Sequence, residues 1–166
     1  MDPAQLAPPH LRAYLLENGI DATFVAPGVP MPTVPLAAQA IGEPEDSILK
    51  TLIFVADFGQ FVVAIANGTG RIDRDRLARA AMIQKPRPAK PADVLAVTGY
   101  PAGGVAPLGL PQSVPVIVDA ATAKLTVAYG GGGQEHVLLR VRVSDVIRCN
   151  NALIADITER PKDSSG

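Results

Sequence analysis

Two stretches of this sequence combine residue types that could do chemistry. The segment GYPAGGVAPLG, residues 99–109, holds four glycines and two prolines and carries no acid, base or nucleophile. Such a loop presents backbone N–H groups, which can stabilise an oxyanion or hold a phosphate without any side chain. The other stretch is ILKTLIF, where Lys50 stands in line with large apolar residues whichever face of the strand is buried. An ammonium there is suited to receive an anion.

Both stretches also have a structural interpretation, and the residues alone leave it open. The glycine loop could be a tight connection between a helix and a strand. It matches neither the phosphate-binding loop that ends in Lys-Ser/Thr nor the dinucleotide fingerprint. Lys50 could guard an edge strand against aggregation, or lay its stem over apolar surface with its ammonium in water.

Composition limits the class of protein. The length of 166 residues suits one domain with a single core, and 48% hydrophobic residues with a net charge of −1 indicate a globular chain without global basicity. Because the only cysteine is Cys149 and there are two histidines, we expect no disulfide, no metal and no cofactor. No stretch reaches the ~18 uncharged apolar residues of a membrane span, so the chain is predicted to be cytoplasmic and not membrane-bound.

The elements that must position the two stretches alternate irregularly along the chain. Helices are predicted over 11–19, 33–40, 74–82, 91–99 and 144–151, with Thr33, Asp73 and Ser144 as caps. Strands are predicted over 21–25, 47–57, 60–66, 114–119, 125–130, 136–143 and 152–157, with a hairpin over 47–66 and the tetraglycine 130–133 as a connection. This order predicts a single α+β domain over 1–158, with a mixed β-sheet and surrounding helices, and a polar, disordered tail over 159–166.

Three further features allow more than one interpretation. Seven of the fifteen basic residues lie within 71–90, which suits a polyanion or a solvated helix face, since Asp73 and Asp75 interrupt the run. His136 could be a general base or an ordinary strand-end histidine. Cys149 fits a small buried hydrophobe better than a nucleophile.

The motifs DSILKTLIFVAD, TGYPAGGVAPLG and a GGG turn before a strand stand in that order within about residues 20–158. In this combination the chain resembles the YbaK family, also called the aminoacyl-tRNA synthetase-associated or prolyl-tRNA synthetase editing-domain family. The resemblance implies a mixed α+β domain with a cleft beside the glycine loop. It also implies a free-standing hydrolase that cleaves the ester of mischarged tRNA, with cysteine, alanine or another small amino acid on tRNA for proline or a related acceptor.

The same resemblance implies roles for individual residues. Lys50 would hold the phosphate or ribose end of the acceptor adenosine, while Gly103 and Gly104 would orient the aminoacyl carbonyl and supply backbone donors. A water positioned by the neighbouring ribose hydroxyl would attack the ester, so no protein nucleophile is needed. Further substrate contacts are expected from Thr51, Gly99, Tyr100, Val105, Pro107, Gly109 and Gly132. The sequence departs from the family after the GGG turn, where Gln134, Glu135 and His136 stand in place of a basic residue and a glycine.

Two functional hypotheses from different classes follow. The first is an aminoacyl-tRNA deacylase acting in trans, with mischarged tRNA as substrate and a prolyl-tRNA synthetase or another synthetase as a possible partner. The alternative is a non-catalytic module that keeps the pocket and binds a nucleotide, an aminoacyl-adenosine or a synthetase for regulation. The presence of both Lys50 and an unbroken GGVAPLG favours the enzyme. The oligomeric state is left open.

Overall fold

Two β-sheets and five α-helices make up the part of the chain that the computed structural model describes, residues 2–159. The helices are α1 (Pro9–Glu17), α2 (Val34–Ile41), α3 (Arg74–Ala81), α4 (Pro91–Thr98) and α5 (Val143–Cys149). The strands are β1 (Thr23–Val25), β2 (Leu49–Ala56), β3 (Gln60–Asn67), β4 (Arg87–Pro88), β5 (Val116–Asp119), β6 (Val127–Gly131), β7 (Leu138–Arg142) and β8 (Leu153–Ala155). The predicted α+β class is confirmed. Of the predicted tail, all residues but Glu159 lie outside the described range.

The predicted hairpin is the centre of the larger sheet, whose strand order is β4-β2-β3-β5-β8. β2 and β3 pair antiparallel from Leu49↔Asn67 to Ala56↔Gln60, whereas β5 and β8 are added in parallel. Both faces of β3 are covered, because Val63 and Ile65 pack in the main core while Val62 packs with α3 on the opposite face. A strand that is buried on both faces has a continuous apolar sequence, as QFVVAIA does.

The remaining three strands form a separate antiparallel sheet in the order β1-β7-β6. A single parallel bridge between Ile48 and Tyr129 joins it to the larger sheet. The predicted strand over 125–130 included Gly130, which pairs with Leu139 inside this sheet. The prediction that the rest of the tetraglycine is a connection is wrong at Gly131, which pairs with Leu138.

Two of the three predicted helix caps are confirmed. The hydroxyl of Thr33 accepts a hydrogen bond from the Leu36 amide, and the Asp73 carboxylate caps α3. The predicted cap at Ser144 is wrong: α5 begins at Val143, with no side-chain cap. Val143 is buried in the core and its amide donates to the Thr126 carbonyl, so packing draws the chain into the helix one residue earlier. Within residues 2–159, no helix has the length and apolar character needed to cross a membrane.

Candidate active site

A cleft of about 290 Å³ lies where β2, the glycine loop and the start of α2 meet. β2 contributes Lys50, Thr51 and Leu52 to its lining, and the glycine loop contributes Ala102, Gly103 and Val105. The opposite wall is mainly apolar and includes Met31, Pro32, Val34 and Ala37. The structure therefore brings together the two stretches that the sequence singled out.

β2 can line this cleft because one of its edges is open there. β3 covers one edge along the whole strand, but β4 covers the other only at Phe54 and Val55. The sheet face that carries Lys50 and Leu52 is also incompletely covered, and Leu52 stays 37% exposed. Lys50 thus lies at an exposed edge of β2 and also lines a concave site.

The Lys50 ammonium lacks a carboxylate partner among residues 2–159. Its Nζ donates a hydrogen bond to the Gly70 carbonyl over 2.6 Å, which orients the side chain and leaves two of its three N–H donors for a ligand. Partial burial lowers the pKa of Lys50 from its ordinary value of 10.5, because desolvation disfavours the charged form. An anion in the cleft would offset that cost.

Thr51 supplies a second polar group without a partner. Its side chain is 7% exposed, and its hydroxyl finds no hydrogen-bond partner among the described residues. A buried hydroxyl left in this state costs about 1–3 kcal/mol.

The first half of the glycine loop faces the cleft. Gly103 is exposed, and its amide has no acceptor within residues 2–159. Gly104 is buried instead, and its amide donates to the Pro101 carbonyl over 2.9 Å. A Cβ at Gly104 would come within 2.6 Å of the Gln134 carbonyl carbon, so this glycine allows two backbones to touch.

The second half of the loop is anchored in the core. Tyr100 is fully buried, its hydroxyl donates to the Leu108 carbonyl over 2.7 Å, and its ring stacks on His10 at 4.7 Å between centroids. Gly109 has a φ of +68°, and a Cβ there would lie 2.5 Å from the Tyr100 hydroxyl oxygen. Asn150 holds the Pro107 carbonyl with a hydrogen bond of 2.7 Å.

Of the ten residues assigned to the site from the sequence, the structure places Lys50, Thr51, Gly103 and Val105 in the cleft. The other six lie outside its lining: Gly99, Tyr100, Gly104, Pro107, Gly109 and Gly132. Gly99 ends α4 in the left-handed region, and the buried Gly132 donates its amide to Val137 over 2.9 Å. Sequence reasoning missed Gly131, although the tetraglycine was a visible signal, and the proline-rich segment contributes Met31 and Pro32 to the apolar wall.

A second cavity of about 220 Å³ adjoins the cleft at the corner where the sequence departs from the family pattern. The two cavities share Met31, Pro32 and Gly103. Pro30, Glu135 and His136 complete the lining of the second cavity, and His136 is exposed with a φ of +67°. The segment that departs from the family pattern therefore borders the cleft.

The basic segment 71–90 is divided between paired and unpaired cations. Arg76 pairs with Asp73 and Asp156, Lys85 with Asp75, and Arg87 with Asp57. Arg71, Arg79 and Lys90 are exposed and have no carboxylate partner among residues 2–159. Cys149 is a half-buried free thiol beside a different cavity, and it is not among the residues that line the cleft.

An α+β fold with a cleft lined by a lysine and by a loop glycine whose amide has no acceptor among the described residues is suited to a small anionic or oxyanion-forming ligand. A family model described as aminoacyl-tRNA editing domain matches residues 29–149, and the chain belongs to this family.

Individual relatives point to the same family. The chain is 25% identical over 123 residues to a candidate Cys-tRNA(Pro)/Cys-tRNA(Cys) deacylase, EbsC, of Enterococcus faecalis, which covers 74% of this chain and 75% of that protein. It is 28% identical over 107 residues to a proline–tRNA ligase of Pelobacter propionicus, with 64% of this chain and 19% of the ligase covered. The crystal structure of a candidate trans-editing enzyme for prolyl tRNA synthetase superposes with a TM-score of 0.83 at 25% identity, over 96% of this chain and 99% of that chain.

Proposed function

We propose that this chain hydrolyses the aminoacyl ester of mischarged tRNA in trans, with cysteinyl- or alanyl-tRNA for proline as the leading substrates. The observation that carries the proposal is that Lys50 and Gly103 line one cleft, and that the Gly103 amide has no acceptor among residues 2–159. The names of the relatives support it, since one is a candidate deacylase of Cys-tRNA(Pro) and another a candidate trans-editing enzyme.

In the proposed step, a water oxygen attacks the aminoacyl carbonyl carbon and the bond to the ribose oxygen breaks. The proton that the water loses goes to that ribose oxygen, so the products are a free amino acid and an intact tRNA. The Gly103 amide donates to the carbonyl oxygen as negative charge develops there, and one such preorganised donor is typically worth ~3 kcal/mol. The substrate's neighbouring ribose hydroxyl positions the water, so the cleft requires no nucleophile of its own.

Lys50 acts in this proposal by binding and not by proton transfer. Its two remaining N–H donors meet the phosphate or ribose of the terminal adenosine, while the Gly70 carbonyl fixes the ammonium. Gly104, whose amide is already bonded to Pro101, shapes the turn and gives no hydrogen bond to the substrate. This reduces the predicted pair of loop donors to one.

The cleft favours a small aminoacyl group. Its volume of about 290 Å³ lies at the lower end of the range for small-molecule sites, and it must also hold part of the adenosine. Met31, Val34 and Ala37 give it an apolar wall, which suits the side chains of alanine and cysteine. The unpaired cations Arg71, Arg79 and Lys90 are available to the phosphate backbone of the tRNA.

The test is a deacylation assay with Cys-, Ala-, Ser- and Pro-tRNA for proline, using the wild-type chain, Lys50→Ala and Lys124→Ala. Lys124 is an exposed lysine outside the cleft lining, so Lys124→Ala removes the same charge as Lys50→Ala without changing the cleft. We expect turnover of Cys- or Ala-tRNA, sparing of Pro-tRNA, and a loss of at least about 100-fold in Lys50→Ala only, since charge-assisted hydrogen bonds contribute about 1.5–3 kcal/mol each.

Two results would contradict the proposal. Equal activity of Lys50→Ala and Lys124→Ala would show that Lys50 does not bind the substrate. Saturable binding of an amide-linked alanyl-adenosine with no turnover of any ester would favour the non-catalytic module instead.

A further inference from the structure

Glu135 lies directly against the loop glycine that faces the cleft. A Cβ built on Gly103 would be 3.3 Å from the Glu135 Oε1 atom and 3.8 Å from its carboxyl carbon. Glu135 also lines the second cavity, which shares Gly103 with the cleft. A carboxylate therefore borders the position at which the proposed mechanism places the aminoacyl carbonyl.

The backbone holds this arrangement in place. Gly104 is buried against the Gln134 backbone, with no room for a Cβ between them. Because Gly103 and Glu135 are the chain neighbours of these two touching residues, the glycine and the glutamate are kept side by side. The left-handed φ of +67° at His136 then turns the chain towards β7.

The charge of Glu135 requires an explanation at an RNA-binding site. No Lys, Arg or His nitrogen of residues 2–159 lies within ion-pair distance of its carboxylate. A lone carboxylate repels the phosphates of tRNA, and like charges across an interface are unfavourable. The acceptor end of an aminoacyl-tRNA carries one cation, the α-ammonium of the amino acid, which is two bonds from the ester carbonyl carbon.

We propose that Glu135 binds the α-ammonium of the aminoacyl group and thereby selects substrates with a free amino group. The inference rests on the proposed function, since it uses the carbonyl position at the Gly103 amide. With the carbonyl oxygen held by Gly103, the α-ammonium lies within reach of the carboxylate that touches the same glycine. Glu135 would be a specificity-determining residue, and the proton transfers of the reaction would not pass through it.

The test compares Ala-tRNA with N-acetyl-Ala-tRNA for proline, because acetylation removes the ammonium and keeps the ester. Glu135→Gln keeps the size of the side chain, and Glu17→Gln, an exposed residue of α1, gives a matched loss of negative charge. We expect Glu135→Gln to lower kcat/KM about ten-fold for Ala-tRNA and less than two-fold for N-acetyl-Ala-tRNA. Glu17→Gln should change neither.

Equal losses on both substrates would overturn the inference, because they would assign Glu135 to the chemistry or to the fold. No loss on Ala-tRNA would overturn it as well. Binding of amide-linked alanyl-adenosine and its N-acetyl form separates this inference from the proposed function, since it needs no turnover. A preference of about ten-fold for the free amine that disappears in Glu135→Gln supports the inference even if no ester is cleaved. An equal affinity for the two analogues, or no binding of either, overturns it.

Discussion

The two halves of the glycine loop have similar compositions and opposite environments. Gly103 is exposed in the cleft with an amide that has no acceptor among the described residues. Gly109, six positions later, has a left-handed backbone and lies against the buried hydroxyl of Tyr100. The first half lines the cleft, and the second half fixes the loop to the core.

The contrast shows that glycine has three separate uses within one short loop. Gly103 leaves an amide accessible, Gly104 permits contact between two backbones, and Gly99 and Gly109 supply a positive φ. Only the first use is chemical, and the other two provide the rigidity that a preorganised donor needs. The density of glycine in a sequence therefore indicates a special loop without telling which residue meets the ligand.

The largest effect that would test this contrast is expected from Gly109→Ala. An alanine at φ +68° costs about 1–2 kcal/mol, and its Cβ would also displace the Tyr100 hydroxyl from the Leu108 carbonyl. We expect a loss of about 3 kcal/mol in the free energy of unfolding, measured by urea denaturation. Gly59→Ala is the matched control, because φ is +72° there and no atom lies within 4 Å of the new Cβ. Equal losses in the two variants would contradict the anchoring role of Tyr100.

A smaller effect, on activity and not on stability, is expected from Gly103→Ala. The nearest atom to the new Cβ is the tip of the flexible Glu135 side chain, and φ is not positive, so unfolding should change by less than about 1 kcal/mol. The added methyl group enters the cleft beside the donor amide. We therefore expect kcat/KM for Ala-tRNA to fall about ten-fold. If Gly103→Ala lowered the free energy of unfolding as much as Gly109→Ala does, the proposed difference between the two halves of the loop would be contradicted.

The smallest effect concerns pH, and it separates the halves by the sign of their pKa shifts. Burial lowers the pKa of Lys50 at the cleft and raises that of Tyr100 in the anchored half. As pH rises towards 10.5, Lys50 loses its proton at a lower pH in the folded chain than in the unfolded chain. The free energy of unfolding therefore rises slightly, while the affinity of the cleft for an anion falls. Tyr100 acts in the opposite direction, because above pH 10.0 the unfolded tyrosine ionises and stability is lost.

The measurement is a titration of the N-acetyl form of an amide-linked alanyl-adenosine 5′-phosphate between pH 7 and pH 10, because acetylation removes the α-amine that would otherwise titrate in this range. Unfolding is followed over the same range. Weaker binding with undiminished stability is the expected result. Lys50→Arg, which stays charged throughout, should remove the pH dependence of binding. Binding that weakens equally in Lys50→Arg would exclude Lys50 as the titrating group.

Local signals predicted much of the fold and part of the candidate site. The caps Thr33 and Asp73 and the central hairpin are where the sequence placed them, because capping and apolar alternation act between near neighbours. The helix start at Val143 and the strand pairing of Gly131 were missed, because both depend on what packs against them from distant segments. For the same reason, the sequence could not show that Gly103 lines the cleft while Tyr100 and Pro107 do not.

The sequence by itself determined that a lysine lies within an apolar strand and that a bare, glycine-rich loop lies elsewhere in the chain, because those are properties of residue type and spacing. Only the tertiary structure decided that they share one cleft, since that depends on β4 leaving one edge of β2 open. It also decided which loop amide is unoccupied and that Glu135 lies beside it. Hydrogen bonds and close backbone crossings between distant segments exist only once the chain is packed.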